Sequence, residues 1–167
     1  MVIGVKRRSK LRRRFTASVW QQRFNRTAVS RATLREKKDN MKETVQKKSL
    51  KGEFYTSEKC YITELSNTPD DPDVSIARAR VEPGVTTRWH RLRETSERYF
   101  IISGRGLAEV GKLPPQEVAA GDIVLIPPMC RQRITNIGKG DLVFLAICSP
   151  RFSQDVYEDI ENDAETE

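Results

Sequence analysis

From position 53 onward the chain alternates between short runs of apolar and polar residues and clusters of turn formers. The runs are EFYT (53–56), CYITEL (60–65), VSIARARV (74–81), TRWHRL (87–92), RYFIIS (98–103), LAEV (107–110), DIVLIP (122–127), QRITNI (132–137) and LVFLAIC (142–148). Each is rich in β-branched and aromatic residues. Between them fall NTPDDPD, EPG, SGRG, KLPP, AAGD and GKGD. Many short strands separated by regular turns predict an all-β sandwich or barrel rather than a parallel α/β sheet, which needs helical periodicity between its strands. Residues 53–152 contain no such stretch. Only 30–50 and 153–162 carry patterns compatible with a helix.

Side chains alternate across a strand. Read as regular strands, the segments put Arg88, His90 and Leu92 on one face, Glu97 with Tyr99 and Ile101 on a second, and Gln132, Ile134 and Asn136 on a third. Gly84, Gly104 and Gly121 fall in turns and are expected at positive φ. Polar residues on an otherwise apolar inner wall point to a ligand site.

Charge then divides the chain. The 167 residues carry a formal +7. Residues 1–40 hold 13 Lys and Arg against two acids, a net of +11, so residues 41–167 are at −4. The last 15 residues contain seven acids and no base. This suggests a basic arm (1–40), mostly disordered or helical, a body (41–152) with lead-in strands, and an acidic solvated tail (153–167). Three readings of the arm stay open: a mitochondrial transit segment, a nucleic-acid arm, or an upstream start preceding a natural one at Met41. Its aromatic residues Phe15, Trp20 and Phe24 form no stacking platform, which disfavours nucleic acid. No apolar run approaches the ~20 residues of a membrane-spanning helix. Cys60, Cys130 and Cys148 make no CxxC pair, and three thiols suit a reducing compartment, so a cytoplasmic location is expected, or a mitochondrial one if the arm is a transit segment.

Two segments are more specific. Gly84, His90, Glu97 and Gly104 fall at the spacing G-x5-H-x-H-x4-E-x6-G, with Leu92 at the second histidine. Gly121, Pro127 and Asn136 fall at G-x5-P-x-G-x2-H-x3-N, with Met129 at the glycine and Gln132 at the histidine. Over roughly 76–150 the chain resembles the cupin superfamily, in particular its small single-domain conserved barrels. The resemblance implies a double-stranded β-helix, or jelly roll, and a homodimer. It also implies a divalent ion (Fe, Mn, Ni or Zn), which such proteins hold through three histidines and a glutamate. Here the corresponding donors are His90, Glu97 and Gln132. Leu92 cannot bind metal and an amide oxygen is a weak ligand, so such a site would be open and weakly held.

Three functions emerge as expectations. In a metal-assisted enzyme, dioxygenase-like or isomerase-like, the ion at His90, Glu97 and Gln132 polarises a small substrate. In a metal-free isomerase, His90 is the general base and Tyr99 the acid. In a binding barrel, Arg88, Gln132 and Asn136 line the ligand without chemistry. Plain structural roles stand beside these: Glu97 paired with Arg88 or Arg98, Gln132 as a hydrogen-bonding filler, Tyr99 as core, Cys130 and Cys148 as small buried groups. Arg78 and Arg80 either form a solvated strand face or reach an anionic ligand at the barrel mouth.

Overall fold

A computed structural model describes residues 41–47 and 52–162. The basic arm, with the readings made of it, lies outside the described residues. Residues 41–47 are exposed and without regular structure. Among the described residues there is no α-helix, and no helix is long and apolar enough to cross a membrane.

The described residues form eleven strands: β1 (Phe54–Tyr55), β2 (Tyr61–Ser66), β3 (Ser75–Val81), β4 (His90–Leu92), β5 (Ser96–Ser103), β6 (Arg105–Val110), β7 (Gln116–Ala119), β8 (Ile123–Ile126), β9 (Gln132–Asn136), β10 (Leu142–Ser149) and β11 (Tyr157–Asp159). They form two antiparallel sheets, β1-β2-β3-β10-β5-β8 and β11-β4-β9-β6-β7. Most neighbouring strands, such as β3-β10, β10-β5, β4-β9 and β9-β6, come from distant parts of the chain, as in a jelly roll, and the expected all-β double-stranded β-helix is what the chain forms.

Alternation decides what faces inward. On β5 the buried residues are Glu97, Tyr99 and Ile101, and on β9 they are Gln132, Ile134 and Asn136, as the period of two requires. Ile101, Ile134, Leu142 and Val81 are sealed from solvent and meet Ala79, Ile126 and Phe144 between the sheets. The Tyr99 ring lies against Phe144 with centroids 4.5 Å apart. Arg78 and Arg80 lie on the solvated side of β3, ion-paired to Glu53, with the Arg80 guanidinium over the Tyr61 ring.

The turns carry the expected backbone. Gly84, Gly104 and Gly121 all have positive φ. Gly104 is doubly constrained: its φ is +89°, and an added Cβ would come within 2.6 Å of the Asp141 carbonyl oxygen. Met129, which replaces the expected glycine, keeps the left-handed conformation at φ +62°.

Two expectations need correction. The segment TRWHRL is not one regular strand. Thr87 pairs with Ile134 through both its backbone N–H (3.0 Å) and its hydroxyl, which accepts from the Ile134 N–H (2.9 Å). The backbone is then irregular until β4 begins at His90, so Thr87 and His90 both point inward with Arg88 and Trp89 between them. The described part of the tail, 153–162, is also neither a free solvated segment nor an α-helix. Residues 154–156 form one 3-10 turn and β11 pairs antiparallel with β4. Three of its described acids are occupied: Asp159 binds Arg88 (2.8 Å), Glu158 binds Arg91 (2.6 Å), and Glu161 accepts from the Trp89 N–H.

Candidate functional site

A cavity of about 270 Å³ opens between the sheets at the end marked by β2, β4 and β11. That is near the lower limit of the ~300–1,000 Å³ usual for ligand pockets. Its polar wall includes Glu58, Thr87, His90, Glu97, Tyr99 and Tyr157.

His90 is 3% exposed. Its Nδ1 lies 2.9 Å from the Arg88 carbonyl oxygen. A carbonyl only accepts, so Nδ1 donates to it and Nε2 is the nitrogen left for other partners. Nε2 lies 4.0 Å from a Glu58 carboxylate oxygen, beyond hydrogen-bond reach. The Tyr157 ring stacks on the imidazole with centroids 5.5 Å apart. The irregular backbone at 87–90 turns His90 into the cavity wall and presents the Arg88 carbonyl to its Nδ1.

Glu97 is buried on β5 and accepts a 2.6 Å bond from Gln132 Nε2 and a long contact from the Cys148 thiol (3.7 Å). Burial pushes its carboxyl pKa up, and the His90 ring and Gln132 amide offset only part of that. Burial raises the Tyr99 phenol well above its ordinary value, and the Glu97 and Glu58 charges add to this. Cys60 is pushed up to about 12, first by burial and then by Glu58. Cys148 is raised for the same first reason. Both stay thiols at neutral pH, which suits packing rather than nucleophilic work.

The residues expected from sequence divide into two groups. His90, Glu97, Tyr99 and Gln132 are brought together. Arg88 is not: it projects outward to Asp159, because the irregular backbone between Thr87 and His90 breaks the alternation that would have put it beside His90. Asn136 is buried but sits four residues along β9 from Gln132, where its amide binds the carbonyls of Val81 (2.8 Å) and Gly140 (2.9 Å) and accepts from Gly138 (2.8 Å). It holds a turn and leaves nothing for a ligand. Glu97 pairs with neither Arg88 nor Arg98. Sequence pattern does not reveal Glu58 or Tyr157. Glu58 lies in a turn without periodicity, and Tyr157 lies in the acidic block, so neither gives a signal beyond residue type.

The expected metal donors do not make a fitting set. Leu92, 4% exposed, fills the second histidine position with an isobutyl group. The Gln132 amide is engaged as a donor to Glu97, and its Oε1 is buried without a partner. Among the described residues no group of three or more His, Cys, Asp or Glu side chains is gathered to hold an ion. First-row metals want at least three good donors.

Comparison with known proteins agrees with the fold. The cupin domain model matches residues 77–148. An uncharacterized protein of Methanocaldococcus jannaschii is 36% identical over 87 residues, covering 52% of this chain and 69% of the relative. The oxalate decarboxylase OxdC of Bacillus subtilis is 31% identical over 106 residues, 61% of this chain but 26% of the decarboxylase. Among solved structures, Pac13, a nucleoside dehydratase from Streptomyces solved in variant forms with uridine, superposes with a TM-score of 0.58 at 18% identity, covering 71% of this chain and 92% of that one. At that identity the likeness speaks for the fold alone.

Proposed function

The chain belongs to the cupin family, and from that premise we propose that its barrel cavity binds a small organic molecule and moves protons on it without a resident metal. The observation that carries this reading is the His90 tautomer. Nδ1–H is held by the Arg88 carbonyl, so Nε2 faces the cavity as a general base. Leu92 and Gln132 stand where a metal would need imidazoles. Tyr99 and Glu97 share the cavity wall with His90 and are the groups placed to protonate a developing alkoxide or a departing hydroxyl. The reaction class is isomerisation or dehydration of a hydroxylated compound. The activity named for Pac13 is of this kind, and the decarboxylation named for OxdC is not.

The test is incubation with small hydroxylated compounds in D₂O, read by mass spectrometry. Exchange or water loss in a member of the set, falling about 100-fold or more in His90→Gln, is expected. Undiminished turnover in His90→Gln overturns the proposal. Metal analysis of untagged protein separates this from the divalent-ion reading at His90, Glu97 and Gln132. Less than about a tenth of an equivalent is expected, and near-stoichiometric Fe, Mn, Ni or Zn overturns metal independence.

A second reading, binding without chemistry, is favoured by Leu92, whose side chain makes part of the cavity wall inert. A ligand returned unchanged after long incubation would support it. The homodimer expected from the resemblance is favoured by a run of exposed apolar side chains, Phe100, Ile102, Ile123 and Leu125, on neighbouring strands β5 and β8. A monomer mass in light scattering at high concentration would reject it.

A further inference from the structure

The charges of the cavity wall are one-sided. Among the described residues it is lined by three carboxylates, Glu58, Glu64 and Glu97, and by no lysine or arginine. Elsewhere guanidinium groups neutralise the carboxylates: Glu53 holds Arg78 and Arg80, Glu109 holds Arg133, Glu117 holds Arg105 and Glu158 holds Arg91. Glu58 differs. Its side chain is 25% exposed, and its neighbours are the His90 ring and the Cys60 thiol, each 4.0 Å away, with no guanidinium or ammonium among the described residues. Glu64 lies at the rim, hydrogen-bonded only to the neutral Asn67 amide at 3.1 Å. Glu97 lies deepest, buried on β5, and accepts from the Gln132 amide at 2.6 Å.

Two further observations point to a ligand. His90, buried to 3% exposure, turns an Nε2 without a hydrogen bond toward the cavity. Five aromatic rings, Phe54, Tyr99, Phe144, Phe152 and Tyr157, share the wall, and the buried Tyr157 hydroxyl has no partner. An uncompensated carboxylate beside low-dielectric walls creates a potential that draws cations and repels anions. Ring faces attract ammonium groups further.

We propose that the cavity selects a small organic monocation, an amine or quaternary ammonium compound whose charged head lies against Glu58 and the ring of Tyr157, over neutral and anionic molecules of the same size. The inference rests on the cavity being the ligand site and adds the class of ligand.

Calorimetric titration of the full chain with choline, with its uncharged isostere 3,3-dimethylbutan-1-ol, and with malonate tests it. Choline is expected to bind at least tenfold tighter than the isostere, and malonate to give no heat. Glu58→Gln is expected to bring the choline-to-isostere ratio close to one without changing isostere affinity. Equal binding of choline and isostere by the unaltered protein overturns charge selection while leaving the cavity as the ligand site. Preference for malonate, or a choline preference that survives Glu58→Gln, also overturns it. Silence from all three probes overturns it as well, and the deuterium-exchange assay then judges the cavity independently. The comparison between choline and isostere needs no variant, so a folding defect in Glu58→Gln does not blunt it.

Discussion

Gln132 and Asn136 sit four residues apart on β9, carry the same amide, point into the same barrel and are 0% and 1% exposed. Their surroundings differ. Asn136 is fully engaged, donating to the Val81 and Gly140 carbonyls and accepting from the Gly138 N–H. Gln132 donates to Glu97, and its oxygen has no partner. A buried polar atom without a partner costs roughly 1–3 kcal/mol, so folding alone would not favour the second arrangement. One end of the barrel is therefore built for stability. The other leaves an amide oxygen unspent behind Glu97, which lines the cavity.

The contrast can be broken most strongly at Asn136. Asn136→Leu strands two carbonyls and one N–H, and a loss of about 3 kcal/mol in urea unfolding is expected, with choline affinity unchanged in the molecules that remain folded. A loss below about 1 kcal/mol would show that the bracket matters little. Gln132→Leu should cost less, about 1–2 kcal/mol, because it strands one acceptor, the Glu97 oxygen, while deleting the orphan amide oxygen. An equal loss at both positions would erase the distinction between the two ends.

A pH series sharpens the comparison from the Glu97 side. Its folded pKa lies above the unfolded value, so the folded state binds the proton more tightly. Stability is then full below the unfolded pKa and declines as pH rises from there through the folded pKa. Glu97→Gln keeps an amide in place of the acid and removes this decline. Its melting temperature should match the parent near pH 4 and exceed it at pH 8. A parent curve that rises across that interval while the variant stays flat would reverse the assignment. The smallest effect is expected at Met129, whose φ of +62° leads toward the Gln132 end. Met129→Gly relieves left-handed strain and should add about 0.5–1 kcal/mol, read as a shift in unfolding midpoint at constant slope. No gain would mean that the chain entropy of glycine cancels the relief.

Much of this was legible in the order of residues. Alternation put Glu97, Tyr99 and Ile101 on one wall and Gln132, Ile134 and Asn136 on another, because regular strands leave a side chain no choice of face. The glycine, proline and glutamate spacing pointed to the barrel. Legibility failed where backbone stops being regular. Arg88 and His90 are two apart, yet face opposite ways, because an irregular stretch precedes β4. Strand β7, QEVA, is mostly exposed on a sheet edge and carries little pattern. Glu58 belongs to a turn whose position is set by contacts such as the Arg88 N–H donating to its carbonyl (3.1 Å), which no local pattern encodes. The candidate residues in long, regular strands were therefore visible, while Glu58 in a turn and Tyr157 in a three-residue strand inside the acidic block were not.

The short β11 has a consequence for how the protein behaves in a test tube. It covers the open side of β4, the strand that carries His90, and it is only three residues long with two acids. Short, charged border strands discourage a sheet from recruiting another chain. Composition alone invites trimming after Phe152, since the remaining residues read as a dispensable acidic appendage. Such trimming would leave the β4 backbone groups unpaired and Arg88 and Arg91 without their carboxylates. The visible result would be concentration-dependent self-association, with the segment 153–162 acting as the barrel's guard against its own kind.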